Sequence, residues 1–566
     1  MTLTFQEYPY TRPDVEQYSR DFKEVLNQFE SAANVQEAEA ANVAYNELYS
    51  RLVTQVTLVT IRYSMDTRDD FYREEKAFMD EQIPFMLEFE NAYLKLLVDS
   101  PLREELEQVW GSQLFKLADC SLRSFSPEII EQLQLENKLT TEYSRLIASA
   151  KIPFEGEERT LAQLLPFELS TDREMRRQAS EARYGFMAEH EADFDRIYDE
   201  LVKVRTEMAV KLGYPSFVEM GYDRMKRTDY DADMVANFRK QVLEQIVPAA
   251  NRLRQRQQER IGVDTLRYYD NGFSFPSGNA APKGDPEWII GQGELMYREL
   301  SPETDEFFRF MRERELMDLV SKPGKESGGY CTYLPDYQAP FIFSNFNGTS
   351  ADIDVLTHEA GHAFQAYSSR HFVHSAYLFP TSESAEIHSM SMEFFAWPWM
   401  EKFFQEDADK YLFDHLASAL QFIPYGVSVD EFQHFVYAHP EATPDERKAA
   451  WREIERKYLP HLNYEGSDYL ERGGFWHKQG HIFNTPFYYI DYTLAQICAF
   501  QFWKRSREEQ EAAWRDYIHL CGLGGSLSFT NLVREAGLIS PFEDGCVSSV
   551  IGQIETWLDQ VDDKAL

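Results

Sequence analysis

Apolar residues recur every three or four positions along most of the chain, the spacing of helices with one face turned inward. Val15 to Ala32 alternates charged and apolar residues in this way. Between Glu37 and Met65 a single stripe is formed by Leu48, Leu52, Val56 and Val59, and residues 85–98 repeat the pattern up to Pro101. Residues 140–172 interrupt it. Ile152-Pro153-Phe154-Glu155-Gly156-Glu157 is turn-rich and predicts a short hairpin. Ser170-Thr171-Asp172-Arg173-Glu174 predicts a helix start, with Ser170 or Thr171 as cap and Glu174 in the first turn. Amphipathic helix then runs to about residue 262, broken at Gly213-Tyr214-Pro215, before a Gly-, Pro-, Ser- and Asn-rich loop over 270–285.

Two later segments read as strand. Residues 322–333 are a glycine-bearing turn, with Gly328-Gly329-Tyr330 leading into the strand. Pro340 to Phe346 is a second strand, closed by Asn347-Gly348. The predicted fold class is therefore mainly α, a large helical body with a small β-element. No internal period marks a solenoid. A soft boundary near residue 190 separates an N-terminal helical lobe, 1–190, from a second region, 191–566.

Composition narrows the function classes. Of 566 residues, 43% are hydrophobic and 14% aromatic, enough for a sizeable core and too many for a disordered chain. With 57 basic and 95 acidic residues the net charge is −38. Such a surface repels phosphate backbones and anionic lipid, so no nucleic-acid or membrane partner is expected. The cysteines at 120, 331, 498, 521 and 546 form no CxxC pair and read as reduced thiols of a cytoplasmic protein. The first residues lack a basic and apolar leader, and no apolar run is long enough to span a bilayer.

Chemistry concentrates after the β-element. Eleven of the 13 histidines lie between residues 358 and 481. His358-Glu359-Ala360-Gly361-His362 is an HExxH motif within a predicted helix, 350–370, whose start is capped by Thr349 or Ser350 and whose first turn holds Asp352 and Asp354. Residues i and i+4 lie about 40° apart around a helix, so both imidazoles point the same way and can share one ion. Glu359 adjoins that face and reaches a metal-activated water. HxxxH also occurs on ordinary helix surfaces, but Leu356, Ala360, Ala363 and Phe364 suggest a buried helix, in which two unpartnered imidazoles and a carboxylate would cost several kcal/mol. The third ligand comes from Glu383, Glu386 or Glu393, which follow His362 by 21, 24 and 31 residues. Spacing does not choose between Glu383 and Glu386. Glu386 and Glu393 share a helix face, so one can bind metal while the other supports it. His388 is a rival ligand on another face, and the expected fate of Glu383, near a helix start, is a solvated acid.

Asp354-Val355-Leu356-Thr357-His358-Glu359-Ala360-Gly361-His362-Ala363-Phe364, followed by Glu386-Ile387-His388-Ser389-Met390-Ser391-Met392-Glu393, resembles the thimet oligopeptidase family of zinc metallopeptidases. Within it the chain is most similar to the oligoendopeptidase F branch, which includes the bacterial Pz peptidases. Gly213 to Phe217, Tyr269-Asp270, the turn from Lys325 to Tyr330 and Pro486 to Tyr492 carry further likeness. The resemblance implies one Zn²⁺ per chain, held by His358, His362 and Glu386, with Asp354 and Glu393 behind the ligands and Glu359 as general base. It implies that Tyr492 binds the oxyanion, with His481 and Tyr489 contacting substrate. An aromatic stripe at Tyr488 and Tyr489 is also what a plain core would show. The chain departs from the thimet-type pattern, which has a tyrosine where Pro486 stands and a His–Tyr spacing one residue longer. In that family the site lies in a deep channel between two helical lobes, so the resemblance implies an endopeptidase for short peptides. Gly328, Gly329, Tyr330 and the strand after them are expected to bind an extended peptide by backbone pairing. A dipeptidyl carboxypeptidase or carboxypeptidase-type zinc exopeptidase, which needs a cation for the substrate C-terminus, and a non-catalytic peptide-binding protein on the same scaffold are the alternatives.

Overall fold

The computed structural model describes residues 3–322, 324–326 and 328–566. The described residues are overwhelmingly helical, with two small sheets among them. Two compact units emerge, each assembled from three stretches of chain. The first comprises Met1–Leu122, Ala281–Ala408 and Cys498–Leu538, and the second Arg123–Ala280, Asp409–Ile497 and Ile539–Leu566. Residue 190 lies within the first stretch of the second unit, between helices Arg173–Glu189 and Glu191–Lys211.

In the first unit, helices Val15–Glu30, Val35–Met65 and Asp70–Val98 follow the amphipathic pattern. Asp14, Asn34 and Asp69 cap them by accepting first-turn amides. The expected stripe turns inward at Leu48, Leu52 and Val59, while Val56 is half-buried. Phe22, Phe29, Tyr45 and Tyr93 fill the space between these helices, with Tyr45 stacked on Tyr93 at 3.9 Å. The helix expected over 85–98 is the second half of one that begins at Asp70.

The second unit carries the predicted hairpin, β1 (Ile152–Phe154) against β2 (Glu157–Arg159), antiparallel. Glu155 and Gly156 turn it with φ of 50° and 75°, the paired left-handed conformation that two-residue hairpin loops need. The following helix, Arg173–Glu189, is capped by neither Ser170 nor Thr171. Asp172 accepts the Glu174 amide, while Ser170 accepts that of Asp172. Gly213 ends the helix Glu191–Lys211, as its motif suggested.

The β-element of the first unit has three strands in the order β3-β5-β4. β3 (Met317–Val320) runs parallel to β5 (Ala339–Phe346), and β4 (Tyr330–Leu334) runs antiparallel to it. β5, paired on both sides, is almost wholly buried, whereas β4 is an edge. β3 is absent from the sequence expectation. Four residues interrupted by Asp318, directly after a helix, carry no readable alternation. Of the turn before β4, Pro323 and Ser327 lie outside the described residues. The sheet packs on the helix Ala351–Ser368, which presents the HExxH motif. No helix among the described residues is long and apolar enough to cross a membrane.

Candidate metal centre

Two helices of the first unit build the site. Ala351–Ser368 carries His358, Glu359 and His362, and Ser382–Phe395 carries Glu386 and Glu393. The side-chain cap expected from Thr349 or Ser350 does not form. Ser350 makes no capping hydrogen bond, and Asp352, inside the helix, accepts the amides of Asn347 and Gly348 at 2.8 Å each. This ties the end of β5 to the first turn of the motif helix.

The two helices come close because Gly361 has no side chain. A Cβ there would stand 2.6 Å from both the His388 carbonyl oxygen and the Ser389 Cα. Close approach brings the Glu386 carboxylate to both imidazoles, 3.3 Å from His358 Nε2 and 3.5 Å from His362 Nε2. Among the described residues these three form the group of acids, histidines and cysteines able to hold a metal ion, their ligand atoms lying within 4.8 Å of one another. A tetrahedral zinc with bonds of about 2.0–2.1 Å requires ligand atoms about 3.3 Å apart. Two imidazole nitrogens and one carboxylate oxygen at these separations fit that ion and leave a fourth position.

The surroundings orient the donors. His358 Nδ1 donates to Glu393 Oε1 at 2.7 Å, which leaves the Nε2 lone pair facing the centre. Ser389 Oγ donates to Glu386 Oε2 at 2.9 Å. Burial works to raise the Glu386 carboxyl, but the two imidazoles prevail and hold it well below the ordinary glutamate value. Glu359, 9% exposed, is pushed up by burial against the pull of His358 and His362. A Cβ at Gly329 would lie 3.8 Å from Glu359 Oε1 and 3.3 Å from the Phe343 carbonyl, so the bare backbone of the β4 approach lies beside this carboxylate. Gly328 has φ of 94°, and Tyr330 opens β4. Asp354 sits half-buried one turn before His358.

Glu383 is not the solvated acid expected. It is 1% exposed and accepts Thr381 Oγ1 at 2.9 Å, and it is not part of the group that His358, His362 and Glu386 form. His388 is fully buried, and burial pushes its imidazole down to about 4. Its carbonyl accepts the Tyr517 hydroxyl at 2.8 Å. Ser389 and Gly361 were not singled out from sequence. The available signals were a hydroxyl three residues after a candidate ligand and a glycine inside a motif helix.

The remaining candidates come together in the second unit. The His481 ring lies 5.0 Å from Tyr489, 5.6 Å from Tyr488 and 5.8 Å from Tyr492. His481 Nδ1 is bonded to Gln479 Nε2 at 2.8 Å, and Tyr425 donates to Gln479 Oε1 at 2.7 Å. The helix Tyr489–Glu508 is entered through Phe487, whose φ of 67° a bulky residue rarely adopts. Arg227 donates to the Phe487 carbonyl and to Asp491, Gln433 accepts the Phe487 amide, and the Phe487 ring fills the slot left by Gly221.

Comparison with known proteins adds independent evidence. The profile of the Peptidase M3 N-terminal domain matches residues 5–125, and that of Peptidase family M3 matches residues 167–275 and 303–550. Among solved structures, PZ peptidase A with inhibitor 2 is 62% identical over 99% of this chain and 100% of that one, with a TM-score of 0.95. A protein assigned as oligoendopeptidase F is 60% identical over the full length of both chains, with a TM-score of 0.95. Another so assigned, from Bacillus anthracis str. Ames, is 56% identical over the full length of both, with a TM-score of 0.90. Among curated proteins none matches the chain.

Proposed function

The chain belongs to peptidase family M3 and is a metallopeptidase, and on that footing we propose that it hydrolyses short peptides internally, with one zinc ion held by His358, His362 and Glu386. The observation that carries this reading is the pair of Nε2–Oε2 separations, 3.3 and 3.5 Å, on a donor set that suits zinc. Zinc, when bound, supplies a water of lowered pKa and polarises the scissile carbonyl. The chain's own residues do the rest. Glu359 takes a proton from the attacking water and delivers it to the leaving amine, a double role suited to a carboxyl whose pKa burial has raised. Glu393 fixes the His358 tautomer, and Asp354 supports the same helix. Tyr492 donates its phenolic hydrogen to the carbonyl oxygen as that atom gains charge, and His481 and Tyr489 contact the peptide. The edge strand β4, entered through Gly328, Gly329 and Tyr330, pairs with the extended substrate beside Glu359.

A cytoplasmic location is part of the proposal, supported by five cysteines that are thiols rather than disulfides, four of them buried. Replacing Glu359 by Gln tests the central assignment. The variant should bind zinc as the wild type does and lose about 10²–10⁴-fold in kcat, the scale of a general acid–base contribution. Turnover near the wild-type rate would remove Glu359 from the mechanism.

A further inference from the structure

Lys478 stands three residues before His481 and is exposed to solvent. Its ammonium is nevertheless hemmed in by rings, 3.7 Å over Phe475 and 5.9 Å from Tyr425, with the Tyr184 hydroxyl at 3.4 Å. Among the described residues no carboxylate lies within 4.0 Å of it. In a chain of net charge −38 that is unusual. The two acids whose charge reaches it are engaged elsewhere: Glu168 by Arg183, and Glu455 by Arg452 and Tyr464. Burial, reinforced by Arg183, pushes Lys478 down to about 8, as expected for a cation crowded by protein with no anion to offset it.

Its position gives this cation a use. Ring contacts of 5.0 to 6.1 Å run from His481 through Tyr489, Tyr425, Phe475 and Tyr184 to Tyr268. At the far end Tyr184 and Tyr268 line a recess of about 670 Å³, room enough for several residues of a peptide. That recess also carries Glu465 and Asp468, and its one cation, Arg177, is bonded to Glu174 and Glu181. A peptide lying on the rings would meet at Lys478 a cation not engaged by acid, with carboxylates beyond it that repel a negative end.

We propose that Lys478 binds a carboxylate of the substrate, the C-terminal group or an acidic side chain, held between aromatic rings on the track that leads from His481. The inference deepens the peptidase reading and rests on it. A peptide carboxylate lying on these rings would give the ammonium the anionic partner that it lacks, through a charge-assisted hydrogen bond.

The test compares three otherwise identical peptides: a free acid, its C-terminal amide, and an amide with glutamate as the last residue. Ratios of kcat/KM are taken within each enzyme, wild type, Lys478→Met and Lys478→Arg, so that any loss of folded protein cancels. The wild type should favour the carboxylate-bearing peptides about 10- to 100-fold, the scale of a charge-assisted hydrogen bond. Lys478→Met should bring the ratio to about 1, and Lys478→Arg should retain much of it. A preference confined to the free acid assigns the C-terminus, and one shown also by the glutamate amide assigns any terminal carboxylate. No preference in the wild type, or a preference that survives in Lys478→Met, overturns the proposal. Failure to cleave any of the three would instead overturn the peptidase reading, since the plain amide does not call on Lys478.

Discussion

Glu383 and Glu386 are three residues apart, about 60° around a helix, and an error of that size separates a ligand from a bystander. Spacing alone left both open, because either carboxylate can be swung toward two imidazoles on a facing helix. Packing distinguishes them. Glu386 faces His358 and His362 and accepts Ser389 Oγ, whereas Glu383 is buried against Thr381. Glu386→Gln should therefore weaken zinc binding itself, while Glu383→Gln should leave it close to wild type. Ser389→Ala, which frees the ligand carboxylate to rotate, should cost about 10-fold or more in affinity. Competition with a chromogenic chelator measures all three, and a zinc-tight Glu386→Gln protein would contradict the assignment. The oxyanion role proposed for Tyr492 is tested by Tyr492→Phe, expected to lower kcat about 10²–10³-fold with little change in KM, since the hydroxyl would act only once charge develops. If the loss appears in KM instead, Tyr492 binds the ground state.

The helices themselves were legible because a buried face repeats every three to four residues whatever the helix packs against. Their ends were less so. Asp172 outcompetes Ser170 and Thr171 for the cap, and Asp352 ties the chain from inside its helix, because one capping site accepts any of several neighbouring oxygens and local geometry selects among them. Strand β3 was invisible because parallel pairing with a central strand needs no alternation of its own. The close approach of the two metal helices is a property of the pair, and it depends on Gly361. Gly361→Ala would place a methyl group 2.6 Å from backbone atoms of the Glu386 helix, so the helices must part. The expected result is a loss of about 1–3 kcal/mol in stability of the metal-free protein, the usual cost of overpacking, together with weaker zinc binding. An unchanged Tm and affinity would mean that the helices are not held at this distance by the glycine.

At the scale of the whole molecule, each compact unit draws on three stretches that are far apart in the chain, and no local pattern records which distant stretch a helix will meet. What can be read is charge, and the folded chain answers its excess of acid by burying some carboxylates against guanidinium groups. In the second unit, Glu136 is bonded to Arg205 and Arg224; burial works to raise its carboxyl, and the two cations prevail and hold it below the ordinary value. A depressed folded pKa adds stability that is fully present above the unfolded value and is lost as pH falls through the folded one. The Tm advantage of the wild type over Glu136→Gln should thus hold at about pH 7 and shrink below about pH 4, where a constant difference would contradict the pairing. The proposed metal, by contrast, would belong to function more than to fold, since the helices that would carry it are packed within a large core. The most direct measurement is a zinc titration of chelator-stripped protein, following cleavage of an internally quenched peptide blocked at both ends. Without zinc no cleavage is expected, and with it a rise to a plateau at one equivalent per chain; full cleavage by the metal-free protein, or a plateau only well beyond one equivalent, would contradict a single catalytic zinc.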